Sequence, residues 1–236
     1  MISRWKTRVL QERLGGLDFR IEALASLDAT IDELFAELTR TGNPQLLEDL
    51  CPYFGTIWPS ARALCTRLSE TSIEKDGGIR ILEVGCGLAL PSLLLARQTK
   101  YSKIVATDFH PEVHAFLARN LELNAIAPDR VDFRNVDWRL VPKELGVFDF
   151  VIGSDILYEK EHPGDLAEAL VTFVKPKGRI LIADPARPYL QKFVDEMTAR
   201  GWGSTSVVTN APWEDGKMKE IFLLDFKFGG RALRDS

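Results

Sequence analysis

Two sets of residues have types and spacings suited to chemistry. The first is Glu83-Val84-Gly85-Cys86-Gly87, with Asp108 further on. Two glycines one residue apart let the backbone turn sharply and let a ligand lie against it. An acid about 20 residues past such a turn suits the hydroxyls of a ribose. The second set is Asp155 and Tyr158, a D-x-x-Y spacing that closes the apolar run beginning at Phe148. A carboxylate and a phenol placed together can orient a bound group by hydrogen bonds. A dinucleotide site would read G-x-G-x-x-G. Here Leu90 stands at the third glycine position and no phosphate-loop lysine follows, so a pyrophosphate is disfavoured.

The elements that must position these residues come next. Ile79, Ile81, Leu82 and Val84 form an aliphatic run expected to be a buried parallel strand. Leu88 to Arg97 reads as a helix, with Pro91 tolerated in its first turn. Strand, glycine turn and helix start together are expected to direct free N–H groups toward an anionic group. Lys103 to Thr107 is the second strand of the alternation, and Asp108 closes it. A helix Pro111 to Leu123, a strand Val131 to Arg134, a strand Val147 to Ile152 and a helix Asp165 to Phe173 follow. Then come a strand Gly178 to Ala183, a helix Pro188 to Arg200, and two strands, Ser204 to Val208 and Glu220 to Phe228. Alternating strands and helices imply a mostly parallel sheet with helices on both faces. The last two strands lack an intervening helix, giving a seven-stranded sheet with one reversed strand. In such a sheet, ligands sit outside the carboxyl ends of the strands, at the topological switch point. Those ends are Glu83 to Gly87, Asp108-Phe109, Asn135 to Trp138, Ser154-Asp155 and Asp184-Pro185.

The N-terminal part reads differently. Val9 to Leu14 and Leu17 to Ile21 flank Gly15-Gly16, a hairpin pattern. In Asp28 to Leu38, Ile31, Leu34, Phe35 and Leu38 share one helix face. A short helix Gln45 to Leu50 follows. Residues 1–52 are therefore expected to be an accessory cover of hairpin and helices, with residues 53–236 forming the main domain. Tyr53, Phe54 and Trp58 precede a helix Ser60 to Leu68. They either fill the gap between cover and core or wall a ligand, and composition weighs the two equally. Ser69 to Gly78 reads as a polar loop.

The 236 residues suit one α/β domain with additions, and 45% hydrophobic content supports a sizeable core. A net charge of −4 argues against broad nucleic-acid binding. Cys51, Cys65 and Cys86 are odd in number and lack CxxC spacing, which favours a reduced, cytoplasmic setting over a disulfide framework. No apolar run approaches the length of a membrane span. Arg4, Lys6, Arg8 and Arg13 leave a transit peptide conceivable, though a basic surface strand is the simpler reading because the pattern runs on into the hairpin. Lys175-Pro176-Lys177-Gly178 reads as a solvated basic turn. His110, Glu112 and His114 do not make H-E-x-x-H, and no metal site is expected.

Taken together, ILEVGCG, GTIWPSA, TDFHPEV, Val136-Asp137-Trp138 and SDILY resemble the class I, seven-β-strand S-adenosylmethionine (SAM) methyltransferases. They are most similar to the protein-lysine methyltransferases that carry D-x-x-Y. The resemblance implies a Rossmann-like, doubly wound sheet, SAM as cofactor, S-adenosylhomocysteine as product and a protein lysine as acceptor. It implies that Trp58, Glu83, Gly85, Cys86, Gly87, Asp108, Phe109, Val136, Asp137, Trp138 and Ser154 bind SAM. Gly85 and Gly87 would approach its methionine part, Asp108 its ribose, and Val136, Asp137 and Trp138 its adenine. Asp155 and Tyr158 would sit beside the acceptor amine as the catalytic pair. Asp155 has a second reading as the cap of a short helix, and Tyr158 alone reads as core. A small-molecule N-methyltransferase and a silent SAM-binding module remain the alternatives. The cover and the loops Asp184 to Pro188 and Asn210 to Lys217 are expected to frame the mouth of the site.

Overall fold

Alternation of aliphatic side chains along the central strands sets the architecture. In the computed structural model, which describes residues 4–73 and 78–229, β3 (Arg80–Val84) sends Ile81 into one apolar cluster and Leu82 and Val84 into the other. Burial on both faces calls for helices on both, and they are present. On one side pack α3 (Pro59–Ser69), α4 (Leu90–Gln98) and α5 (Val113–Leu123). On the other pack α6 (His162–Phe173) and α7 (Leu190–Ala199). Leu93, Leu94 and Leu95 of α4 are all fully buried, so this helix is wrapped by protein rather than half-solvated.

Six further elements complete the main sheet in chain order: β4 (Lys103–Asp108), β5 (Val131–Asn135), β6 (Phe148–Ser154), β7 (Val174–Asp184), β8 (Trp202–Pro212) and β9 (Met218–Phe228). The spatial order is β5-β4-β3-β6-β7-β9-β8. β9 runs antiparallel to both neighbours and the other pairings are parallel. The reversed strand is thus the last one. The order departs from β3 in both directions, toward β4 and toward β6, and the crevice opens there.

The expected turn at Lys175 to Gly178 is instead part of β7. Phe148 pairs with Val174 and Phe150 with Arg179, so the extra residues of β7 form a bulge. Lys175 is ion-paired rather than simply solvated: its Nζ lies 2.8 and 2.9 Å from the two oxygens of Asp149. The helix α6 begins three residues earlier than its apolar pattern suggested, with Pro163 in its first turn.

At the N-terminus, β1 (Thr7–Leu14) and β2 (Leu17–Leu24) form the expected hairpin in full register. β2 docks on α5: Asn120 Oδ1 accepts from Glu22 N at 2.7 Å, and Asn124 Oδ1 accepts from Arg20 N at 2.9 Å. Arg4 pairs with Glu112 and Arg8 with Glu214. Phe19, Ile21 and Leu24 join the same apolar cluster as α3 to α5. In α1 (Leu27–Arg40) the buried stripe is narrower than its spacing implied. Leu34 and Leu38 are buried but Phe35 is half exposed. A short α2 (Leu47–Leu50) follows a single turn of 3₁₀-helix. The polar loop expected over Ser69 to Gly78 has its centre, residues 74–77, outside the described residues. No helix among the described residues is long and apolar enough to cross a membrane.

Candidate functional site

The glycine turn after β3 adopts left-handed backbone at Gly85 (φ 61°) and Gly87 (φ 51°). A Cβ on Gly85 would lie 2.7 Å from Ile156 Cγ2, and one on Gly87 would lie 3.1 Å from the Phe54 carbonyl oxygen. Both positions therefore require glycine for two separate reasons, backbone sign and space. The amides of this turn do not all face an anion site, as the strand-turn-helix pattern suggested. Gly87 N–H donates to Asp108 Oδ2 at 3.0 Å. Ser92 N–H, in the first turn of α4, donates to Glu83 Oε2 at 3.0 Å, and the Ser92 hydroxyl donates to the same oxygen. Carboxyl groups of the protein take the place an external phosphate would have filled. Burial pushes the Glu83 carboxyl up to about 8, against the opposing bonds from Ser92.

At the tip of β4, Asp108 accepts from His110 N at 3.0 Å through Oδ1. Burial raises its pKa and those backbone bonds oppose the rise. Each oxygen keeps a second lone pair for a ligand hydroxyl. Val136 N–H donates to the Asp108 carbonyl at 2.9 Å, which fixes the tip of β5 beside that of β4. Asp137 accepts from Arg139 N and forks with its guanidinium at 2.9 Å, which holds its carboxyl below the usual range despite partial burial. Trp138 is buried and meets His162 edge-on at 5.0 Å.

At the tip of β6, Asp155 is left-handed (φ 57°), uncommon for a residue with a Cβ. Its N–H donates to the Ala183 carbonyl at 3.0 Å, tying the exits of β6 and β7 together. Burial raises the Asp155 pKa, while Ser60 and Arg187 oppose the rise. Ser60 acts there by proximity, short of hydrogen-bond geometry. Tyr158 is two-fifths exposed and stacks edge-on against His162 at 4.6 Å. Its phenol is pushed up to about 12, first by desolvation and then by Glu159.

These tips line one cleft of about 780 Å³. It is bounded by Trp58, Gly85, Cys86, Gly87, Asp108, Phe109, Asp137, Trp138, Ser154, Asp155 and Tyr158. The aromatic loop Tyr53 to Trp58 lines the cleft, and its Phe54 also packs into the core against Phe116. Glu83 and Val136 do not line the cleft. Glu83 is turned onto Ser92, and Val136 is held through its backbone to β4.

Three residues near the cleft were not singled out individually from the sequence, although Arg187 and Trp213 lie in the two loops expected to frame its mouth. Arg187 follows the exit of β7, and its Nη2 donates to Asp155 Oδ1 at 2.9 Å. His162 is buried, with Nδ1 3.0 Å from the Ile156 carbonyl. Trp213 meets Trp58 edge-on at 5.3 Å, which brings the loop after β8 against the cleft wall. Which side chain of each loop reaches the cleft wall, and the approach of His162 at the start of α6, depend on packing between distant segments, which local pattern does not encode.

The glycine cradle and the acidic floor fit a cationic nucleoside better than a pyrophosphate. Comparison with known proteins agrees. The profile of the family described as Lysine methyltransferase matches residues 50–200. The chain is 29% identical over 147 residues to calmodulin-lysine N-methyltransferase of Arabidopsis thaliana, covering 59% of this chain and 48% of that one. It is 28% identical over 139 residues to electron transfer flavoprotein beta subunit lysine methyltransferase of Mus musculus, covering 58% and 52%. The chain thus spans about half the length of the curated relatives it matches. Magnesium protoporphyrin IX methyltransferase of Synechocystis PCC 6803, solved with bound SAM, superposes with a TM-score of 0.55 at 14% identity, over 71% of this chain and 77% of that one.

Proposed function

Because this chain belongs to the Lysine methyltransferase family, we propose that it transfers a methyl group from SAM to a lysine side chain of a protein. The observation that carries this reading is the convergence of Gly85, Asp108, Asp155 and Tyr158 on one cleft. Bound there, SAM supplies a methyl group activated on a positively charged sulfur and departs as S-adenosylhomocysteine.

The chain's residues supply alignment. Direct displacement gains most of its rate from holding donor and acceptor in line and excluding water. Gly85 and Gly87 let the backbone approach the methionine part, with Cys86 and Ser154 beside it. Asp108 accepts from the ribose hydroxyls. Phe109, Asp137 and Trp138 flank the adenine, and Trp58 closes the opposite wall. Glu83 acts from behind, by fixing the first turn of α4.

An acceptor lysine must be neutral, against an ordinary pKa near 10.4. A partly apolar, aromatic-lined cleft favours the uncharged amine. Asp155 and Tyr158 then orient it, the carboxylate by accepting an N–H and the phenol by its hydroxyl. With its phenol held near 12, Tyr158 remains protonated in the working range. The amine lone pair forms the new C–N bond as the C–S bond breaks, and the surplus proton goes to water.

The cover, residues 1–52, and the Trp213 loop frame the entrance and select the acceptor in this reading. The free, buried cysteines suit a cytoplasmic setting. The test is incubation with methyl-labelled SAM and a cell lysate. A labelled protein band supports the proposal, whereas label confined to a small soluble product, or no transfer at all, overturns it. Asp155→Ala should abolish transfer while SAM affinity stays within about twofold, since Asp155 faces the acceptor.

A further inference from the structure

The exits of β6 and β7 both carry a left-handed residue other than glycine: Asp155 (φ 57°) and Ala186 (φ 60°). Such conformations persist only where the surroundings over-determine them, and they concentrate at functional sites. Here the two exits are joined by one side chain. Arg187 Nη2 donates to Asp155 Oδ1 at 2.9 Å, and Arg187 N–H donates to Asp184 Oδ1 at 2.7 Å. Arg187 Nε lies 3.9 Å from Asp184 Oδ2. The guanidinium sits 6.0 Å from the centroid of the Trp58 ring. The side chains of Asp155 and Asp184 are 6% and 0% exposed. Asp155 Oδ2 is buried without a hydrogen-bond partner.

We infer that Arg187 is a positioning residue, which by bridging Asp155 and Asp184 keeps the Asp155 carboxylate charged and holds it in the orientation that serves the acceptor amine. This rests on the reading of Asp155 as the group that orients that amine. A carboxylate carried into a buried cleft tends to take up a proton, and a neighbouring guanidinium is what prevents it. Asp184 has the opposite effect on Asp155. It is a second buried acid, pushed up to about 6 by burial and further raised by Asp155. It anchors Arg187 but repels the charge Arg187 stabilises. The groups facing Asp155 are Asp184 at the end of β7, Arg187 from the loop after it and Ser60 from the first turn of α3, and Tyr158 lines the same cleft.

Two substitutions therefore have effects of opposite sign, which a merely structural role would not produce. The full chain labelled with ¹³C at aspartate carboxyls is titrated by NMR, with Asp155→Asn identifying the Asp155 resonance. Arg187→Met should raise the Asp155 midpoint by about one to three pH units. Asp184→Asn should lower it, and Arg187→Lys should leave it near wild type. Midpoints unmoved by Arg187→Met, or moved upward by Asp184→Asn, would overturn the inference. Should Arg187→Met not fold, Asp184→Asn decides alone by its sign. In parallel, the acid limb of methyl transfer from labelled SAM to the lysate protein labelled by wild type should move with each midpoint. An acid limb that stays fixed while the midpoints move also overturns the inference. If wild type labels no protein, the methyl-transfer reading falls while the midpoints still judge the bridge.

Discussion

Replacing Glu83 by Gln should flatten the pH dependence of stability on the alkaline side of pH 5. Glu83 is 1% exposed, and among the described residues the hydrogen bonds of its carboxyl are to Ser92 N–H and the Ser92 hydroxyl. Burial moves its pKa from 4.5 to about 8, and Asp108 adds to the rise. Below about pH 4.5 the carboxyl is protonated in both folded and unfolded chains, so it contributes no pH dependence. Between there and about pH 8 the unfolded chain loses the proton while the folded chain keeps it. Folded stability therefore falls steadily as pH rises, then levels off once Glu83 ionises in place. At about 1.4 kcal/mol per pH unit, the loss across that window is roughly 4–5 kcal/mol. A chain of this size changes its Tm by about 2–4 °C per kcal/mol. Gln keeps an oxygen for Ser92 and cannot ionise. Calorimetric melting of both proteins from pH 5 to pH 8.5 should show the wild-type Tm falling roughly 10–15 °C more than that of Glu83→Gln. Comparing slopes cancels Asp108, Asp155 and Asp184, which also resist ionisation. Parallel curves would refute the reasoning, since they would mean that Glu83 is ionised at neutral pH or shielded by water.

Asp108→Asn keeps the shape of the β4 tip but removes its charge. Losing charge-assisted bonds of about 1.5–3 kcal/mol, it should bind SAM roughly 10- to 100-fold more weakly by calorimetry, and unchanged affinity would remove Asp108 from the ribose site. Tyr158→Phe deletes only the hydroxyl and keeps the ring contact with His162. Single-turnover transfer should slow by about tenfold or more with SAM affinity unchanged, and wild-type rates should show no alkaline limb from this phenol below its pKa of about 12.

The sequence by itself determined the frame and most of the cleft. Aliphatic alternation in Ile81 to Val84 and its counterparts demands a sheet buried on both faces, and parallel connections bring the strand exits to one edge. That is why Gly85, Asp108, Ser154 and Asp155, up to 70 positions apart in the chain, could be assigned to one site from their places at strand ends. Only the tertiary structure decided how the polar groups divide their partners. The pattern around Glu83 allowed a cofactor ligand, but the path of α4 puts Ser92 against it. The free amides expected at the turn are taken by Asp108 and Glu83 because β4 and α4 return to the same point. The loops carrying Arg187 and Trp213 were expected at the mouth, but that these side chains reach Asp155 and Trp58 was set by packing between distant segments rather than by a local period. Periodicity reports which face a residue presents, whereas the atom it finally touches depends on where a remote part of the chain comes to rest.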